Sequence, residues 1–444
     1  MEPHSVHVAF GASAALVASL VFVAVYALVV SEKLNRAIVA LLGAGLMILL
    51  GVVTQEAAIN GIDFNTIGLL LGMMVLVGIT GKSGLFQFVA IWSAKKAGAR
   101  PPAVLIMLSV ITALFSALLD NVTTVLLIVP VTLLIAEELK VQSYPFLVSE
   151  VLCSNIGGTS TLIGDPPNIM IGSALDLTFN DFFLNLAPAI AIVLLATLIP
   201  MWLVWRKDLV TTEEARRHVM EFNEWEAIRD PRLLKQSLSV LGVVIAGFVA
   251  AHSIHIQPAT IAMFGAALLL LLDNYRRPAE DQAHNVHAAF AEAEWVTLLF
   301  FVGLFVLVHG LEAAGVIRWL AQELLAATGG DFKVTTFAIL WGSALLSAFI
   351  DNIPFVATMI PLIKSMAPVF GGEHALMPLW WALSLGACLG GNGTLIGASA
   401  NLVVAGMAER AGQPIRFMAY LKSSFLIMLL SIAISHVYLY FRFL

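Results

Sequence analysis

The sequence predicts an all-α polytopic membrane protein built from two inverted repeats, and three observations predict it. Of 444 residues, 60% are hydrophobic and only 12% are charged, about half the roughly 25% charge of a soluble domain. Two polar motifs recur in the same order in the two halves of the chain. Two apolar stretches, each too long for one crossing, carry an Asp-Asn pair at their centre. The mean hydropathy of +0.94 agrees. Two cysteines rule out a disulfide scaffold, and a net charge of −6 gives no sign of nucleic-acid binding. At about 20 residues per spanning helix, the length allows roughly ten to twelve crossings and leaves no room for a soluble catalytic domain.

The first apolar run covers residues 9–30. Met1–His7 contains no Lys or Arg and no small-residue cleavage site follows, so this run is expected to be a retained helix. Further spans are expected near 37–53, 65–80, 145–175, 183–205, 236–253, 257–273, 295–310, 375–408 and 420–441. Stretches 102–137 and 334–370 read as re-entrant hairpins, because a charged pair at membrane depth must be buried in protein or water. Alternating these spans puts 19 of the 23 basic residues on one side, leaving Arg318, Lys333, Lys364 and Arg442 on the other. The positive-inside rule makes the first side cytoplasmic, with both termini outside and the chain in the cell (inner) membrane.

The repeat is read directly. Ser116-Ala-Leu-Leu-Asp120-Asn121 recurs as Ser347-Ala-Phe-Ile-Asp351-Asn352, and Pro130 matches Pro361. The same 231-residue shift aligns Thr66 with Thr297, Gly72 with Gly303 and Gly84 with Gly315. At a shift of 233, Gly157-Gly158-Thr159-Ser160-Thr161-Leu-Ile-Gly164 with Asn168 matches Gly390-Gly391-Asn392-Gly393-Thr394-Leu-Ile-Gly397 with Asn401. The expected divisions are 1–206, a cytoplasmic linker 207–235, and 236–444. Each repeat holds five spans and one hairpin, and an odd number of crossings inverts the second copy. This is the plan of a secondary transporter whose hairpin tips approach each other near the midplane. The stretches after Gly84 and Gly315 read as in-plane arms.

The paired glycines cost helix stability and Asp165-Pro166-Pro167 makes a continuous helix impossible after the first pair, so helix, unwound stretch, helix is expected, with backbone amides and carbonyls facing the midplane. Asn121, Thr123, Gly157, Gly158, Thr159, Thr161, Asn168, Asn352, Gly390, Gly391, Asn392, Thr394 and Asn401 are therefore the candidate solute-binding residues. The plain alternative is that the small residues only allow close helix packing. Asp120 and Asp351, with Asp165 and Glu150, are the candidate proton- or ion-coupling acids, because an ionisable group at membrane depth is costly. For Asp120 and Asp351 a second reading stays open, namely a cap on the following helix. Cys153 and Cys388 are small buried hydrophobes or soft contacts to a thiophilic metalloid. No catalytic constellation and no metal-ligand spacing appears. Gly78-Ile-Thr-Gly81-Lys82-Ser83 lacks the first glycine of a phosphate loop.

Leu119-Asp120-Asn121-Val122-Thr123-Thr124 followed by Gly157–Asn168 resembles the ion transporter superfamily. The branch is that of ArsB-type arsenite permeases, NhaD-type sodium/proton antiporters and the P protein. The resemblance implies a scaffold, a transport unit of two hairpins and two broken helices, a dimer and an elevator-like movement. Sodium sites in the dicarboxylate branch use Ser-Asn-Thr tips. The tips here read Asp120-Asn121-Val122-Thr123 and Asp351-Asn352-Ile353-Pro354, which favours H⁺ as the coupling ion while keeping Na⁺ open. The leading expectation is export of a small inorganic solute, arsenite or antimonite, against protons. A sodium/proton antiporter comes next, then an anion or carboxylate carrier. The expected partners are that solute and the lipid bilayer. A second copy of the chain, and a cytoplasmic ATPase docked on the linker, are open. No cofactor, enzyme activity or nucleic acid is expected.

Overall fold

The computed structural model describes residues 8, 11–31 and 33–444. The reading of Met1–His7 and the first two residues of the 9–30 run lie outside them. Among the described residues the chain is helical, without strands. Both halves pass through one order of elements. Three long helices come first: Ala14–Val30, Arg36–Leu49 and Phe64–Lys82, matched by Pro231–Ile254, Pro258–Asn274 and Trp295–Ala313. A short arm follows, Leu85–Lys96 or Val316–Ala327, and each arm starts after a left-handed glycine, Gly84 (φ 89°) or Gly315 (φ 79°). Then come a hairpin, a broken helix and a long closing helix, Phe179–Trp205 or Phe417–Phe443.

The first three helices of each half interlock. Arg36–Leu49 packs against Trp295–Ala313, and Pro258–Asn274 packs against Phe64–Lys82. Glycine makes both contacts close. A Cβ on Gly72 would lie 2.7 Å from Ala262 C, and one on its repeat-mate Gly303 would lie 2.6 Å from Ala40 C. Each half thus fills a groove in the other.

The hairpins are Pro101–Leu118 with Asn121–Glu138, and Phe332–Phe349 with Asn352–Lys364. Their tips are two extended residues, Leu119-Asp120 and Ile350-Asp351. The second hairpin ends earlier than the expected 370. Pro368 opens a separate turn, Ala367–Phe370, closed by left-handed Gly371. The broken helices are Tyr144–Gly158 with Pro166–Leu175, and Met377–Gly390 with Ser399–Arg410.

The linker is more ordered than a loop. It carries a helix at Glu213–Glu221 and a 3-10 turn at Glu224–Ala227. The turn lies against the first arm: Lys95 Nζ donates to Phe222 O (2.8 Å) and Glu224 Oε2 (2.5 Å), and Phe88 meets Trp225 at 4.8 Å between ring centres. Arg229 N donates to Ser83 O at 3.0 Å.

Candidate functional site

Each broken helix is tied to its own hairpin by the same set of bonds in both halves. Ser116 Oγ donates to Ser154 O and Ser347 Oγ to Ala387 O, both at 2.6 Å. Thr161 donates to Ala117 O at 2.5 Å, and its repeat-mate Thr394 donates to Ala348 O. Gly157 and Gly390 sit inside their helices. There a Cβ would come within 2.1 Å of Ala113 O or 2.6 Å of Ala344 O. These two glycines therefore serve close backbone approach, and the breaks begin just after them. Gly158 passes Gly164, where a Cβ would meet Gly164 O at 2.4 Å, and Gly391 passes Gly397 in the same way at 3.0 Å.

The amides close the breaks. Asn168 Nδ2 donates to Thr159 O (3.1 Å) and Thr161 O (2.9 Å), while Asn401 Nδ2 donates to Gly391 O and Thr394 O, both at 2.8 Å. Asn168 Oδ1 accepts from Ser384 Oγ at 2.6 Å and from Cys388 Sγ at 3.6 Å. Thr159 Oγ1 donates to Asn155 O in its own helix at 2.7 Å.

Asn155 joins the halves. Its Nδ2 donates to Asn392 Oδ1 and Asn401 Oδ1, both at 2.9 Å, and its Oδ1 accepts from Asn121 Nδ2 at 3.0 Å. Asn392 Nδ2 reaches Leu152 O at 3.3 Å. Sequence reasoning missed Asn155 because its repeat position, residue 388, is a cysteine. Its buried polar neighbourhood, Ser154-Asn155 just ahead of Gly157, was the available signal.

Asp120 caps Asn121–Glu138, accepting from Thr123 N at 2.8 Å and from the Thr123 hydroxyl. Asp351 caps Asn352–Lys364 from Ile353 N at 3.1 Å. Here the two repeats part. Asp351 Oδ2 also accepts from Arg36 Nη1 at 3.1 Å and from Ser399 Oγ at 3.0 Å. Arg36 further donates to Thr297 Oγ1 at 2.9 Å and stands over the Phe300 ring at 5.3 Å. Arg36 had counted only as a marker of the cytoplasmic face, and no motif pointed to it as a partner for Asp351.

Asp165 accepts from Asn352 Nδ2 at 3.3 Å, and its second oxygen is buried without a partner, as is Asn121 Oδ1. Asp120, Asn121, Asp165 and Asn352 converge on a cavity of about 20 Å³, closed by Arg36, Glu294, Thr297 and Ser399, space for about one water. A larger cavity of about 310 Å³ adjoins it, sharing Arg36 and Ser399 and reaching Tyr26 and Asp351. The amide cluster of Asn168, Asn392 and Asn401 does not line the small cavity. Glu150 stands apart too. Its Oε1 accepts from Thr132 Oγ1 at 2.5 Å while Oε2 is buried and unpartnered. Cys153 packs with Ala113 and Leu198.

Comparison with known proteins matches this architecture. The family described as CitMHS, citrate transporter, matches residues 26–386. A Mycobacterium bovis protein named uncharacterized transporter Mb2703 is 44% identical, over 96% of this chain and 98% of that protein. The 46 kDa membrane protein of Mycobacterium leprae is 41% identical over 97% and 99%. Mouse P protein is 34% identical over 98% of this chain and 61% of its own length, in keeping with the resemblance drawn from the motifs. Two solved structures share the fold. The YdaH transporter of Alcanivorax borkumensis has a TM-score of 0.57 at 15% identity, covering 95% of this chain and 97% of that one. MtrF of Neisseria gonorrhoeae, described among antimetabolite efflux pumps, has 0.59 at 12%, covering 97% and 95%. The chain is a multi-pass membrane transporter, not an enzyme, and belongs to the CitMHS citrate-transporter family.

Proposed function

We propose that the protein is a proton-coupled exchanger for a small uncharged or cationic inorganic solute, working by an elevator-like movement of the hairpins and broken helices. The lining of the central cavity carries this reading. Asp120, Asp165 and Glu294 stand around it with one basic side chain, Arg36, already paired to Asp351. Such a lining repels a tricarboxylate and leaves no fixed clamp for one. Neutral As(OH)₃ or its antimony analogue asks only for hydroxyl, amide and carboxyl partners, so arsenite or antimonite extrusion is the first cargo. Sodium/proton exchange is the second reading. The unpartnered oxygens of Asp165 and Asn121 favour it, since hard cations take oxygen ligands.

Proteoliposomes under an imposed pH gradient, loaded in turn with arsenite, antimonite, sodium and citrate, test both readings. Arsenite or antimonite flux that collapses the gradient is expected. Sodium flux with no metalloid flux selects the second reading, and gradient-driven citrate flux alone sinks both.

A further inference from the structure

Arg36 and Asp351 belong to different bodies of the fold. Arg36 opens the second helix of the interlocked bundle, and Asp351 is the tip of the second hairpin. Ser399, the first residue after the second break, completes the contact, accepting from Arg36 Nη1 at 2.6 Å while donating to Asp351 at 3.0 Å. Thr297 and the Phe300 ring hold the guanidinium from the bundle side. The pair is largely shielded, with side-chain exposures of 25% for Arg36 and 14% for Asp351. Any sliding of the hairpin along the bundle must part them. Elsewhere the first broken helix meets the bundle through Ser173 Oγ, which bonds Asp63 (2.9 Å) and Asn65 (3.0 Å), and the broken helix contributes only a hydroxyl there. Parting that contact strands no charge on the moving body.

Asp120, the repeat-mate of Asp351, has no basic partner among the described residues and satisfies itself on Thr123. The asymmetry therefore lies in the bundle. The groups facing Asp351 are Arg36 and Tyr26, with Asp120, Asp165 and Glu294 around the adjoining small cavity. If Asp351 left Arg36 as a carboxylate, it would be a membrane-depth charge with three acids nearby and no counter-charge, which is strongly unfavourable.

We propose that Arg36–Asp351 is a charge-exchange clasp: the hairpin leaves the bundle only when Asp351 takes a proton or a small monovalent cation in place of the guanidinium. This rests on the exchanger reading above and names the site where the coupling ion enters. Pairing and protonation compete for the same Oδ2, so the clasp is favoured as pH rises and released as it falls.

The test needs no cargo, so it can fail or succeed independently of which solute is carried. Spin labels at Leu34→Cys and Leu402→Cys, two residues lining the larger cavity, report the clasped distance by pulsed electron paramagnetic resonance on protein in liposomes. The native cysteines are fully buried and stay unlabelled. The ratio of clasped to unclasped protein should fall at least about twofold between about pH 8 and about pH 4, where the ordinary carboxylate range is reached. Replacing choline by sodium at the higher pH separates the two ligands: a fall there assigns a metal cation, no change assigns the proton. Asp351→Asn should give a low ratio that no longer responds to pH, and so should Arg36→Gln. Arg36→Lys, which keeps the charge without the two-armed contact, should weaken the clasp yet keep its response. A clasped distance that persists in Asp351→Asn, or a pH response that survives in it, overturns the proposal.

Discussion

Asn155 Nδ2 and Asn401 Oδ1 lie 2.9 Å apart and link the broken helix of one half to that of the other. The same side chain also holds Asn121 and Asn392, so one residue links a hairpin tip and both breaks.

Asn155→Ala should be among the most damaging single changes in the membrane core. It strands the Asn121 amide and the side-chain oxygens of Asn392 and Asn401, all buried, at roughly 1–3 kcal/mol for each group left unsatisfied. Melting in detergent should drop by several degrees and flux should be lost. Unchanged melting would mean that the amides re-pair or are hydrated.

Glu150→Gln should leave melting unchanged or raise it. The amide oxygen can still accept from Thr132, and a buried ionisable group without a counter-charge disappears. Thr132→Val should lower stability by about 1–3 kcal/mol, because it removes the carboxyl's one described partner. If Glu150 contributes to coupling, Glu150→Gln also flattens the pH dependence of flux, measured on the same preparation.

The two arm glycines should respond differently to alanine. Both have left-handed backbones, so each pays about 1 kcal/mol for the Cβ. At Gly315 nothing lies within 4 Å of that atom, whereas at Gly84 it would fall 1.7 Å from Ala227 O. Gly84→Ala should therefore also displace the linker, seen as faster proteolysis within 222–230, while Gly315→Ala leaves that rate unchanged.

Linker docking should weaken in acid. The hydrogen bond and charge of Lys95 hold the Glu224 carboxyl below its ordinary range. A depressed carboxyl pKa contributes stability above the ordinary value, about 4.3, and loses it as pH falls through the lowered one. Proteolysis of the linker, compared with Glu224→Gln, should converge with the variant only in that acid range. High salt should reproduce part of the effect at neutral pH.

Much of the architecture is legible because it repeats. The Asp-Asn tips, the Gly-Gly breaks and the 231- and 233-residue shifts locate both hairpins and both broken helices to within a few residues, apart from the end of the second hairpin. What self-comparison hides is what differs between the halves. Asn155 faces a cysteine in the alignment, and Arg36 lies outside any repeated motif. Thr123, Thr161 and Thr394 were expected to meet solute, yet their hydroxyls serve the carboxylate and carbonyls of the hairpins. A sequence shows that a hydroxyl is at membrane depth, but not which neighbouring acceptor it faces.

The reciprocal packing at Gly72 and Gly303 has a consequence for biogenesis. As the ribosome completes the first half, Arg36–Leu49 and Phe64–Lys82 enter the bilayer with their partners not yet made, so lipid must fill both grooves until Pro258–Asn274 and Trp295–Ala313 arrive. A chain split in the linker should yield two fragments that are degraded when made singly and rescued when made together.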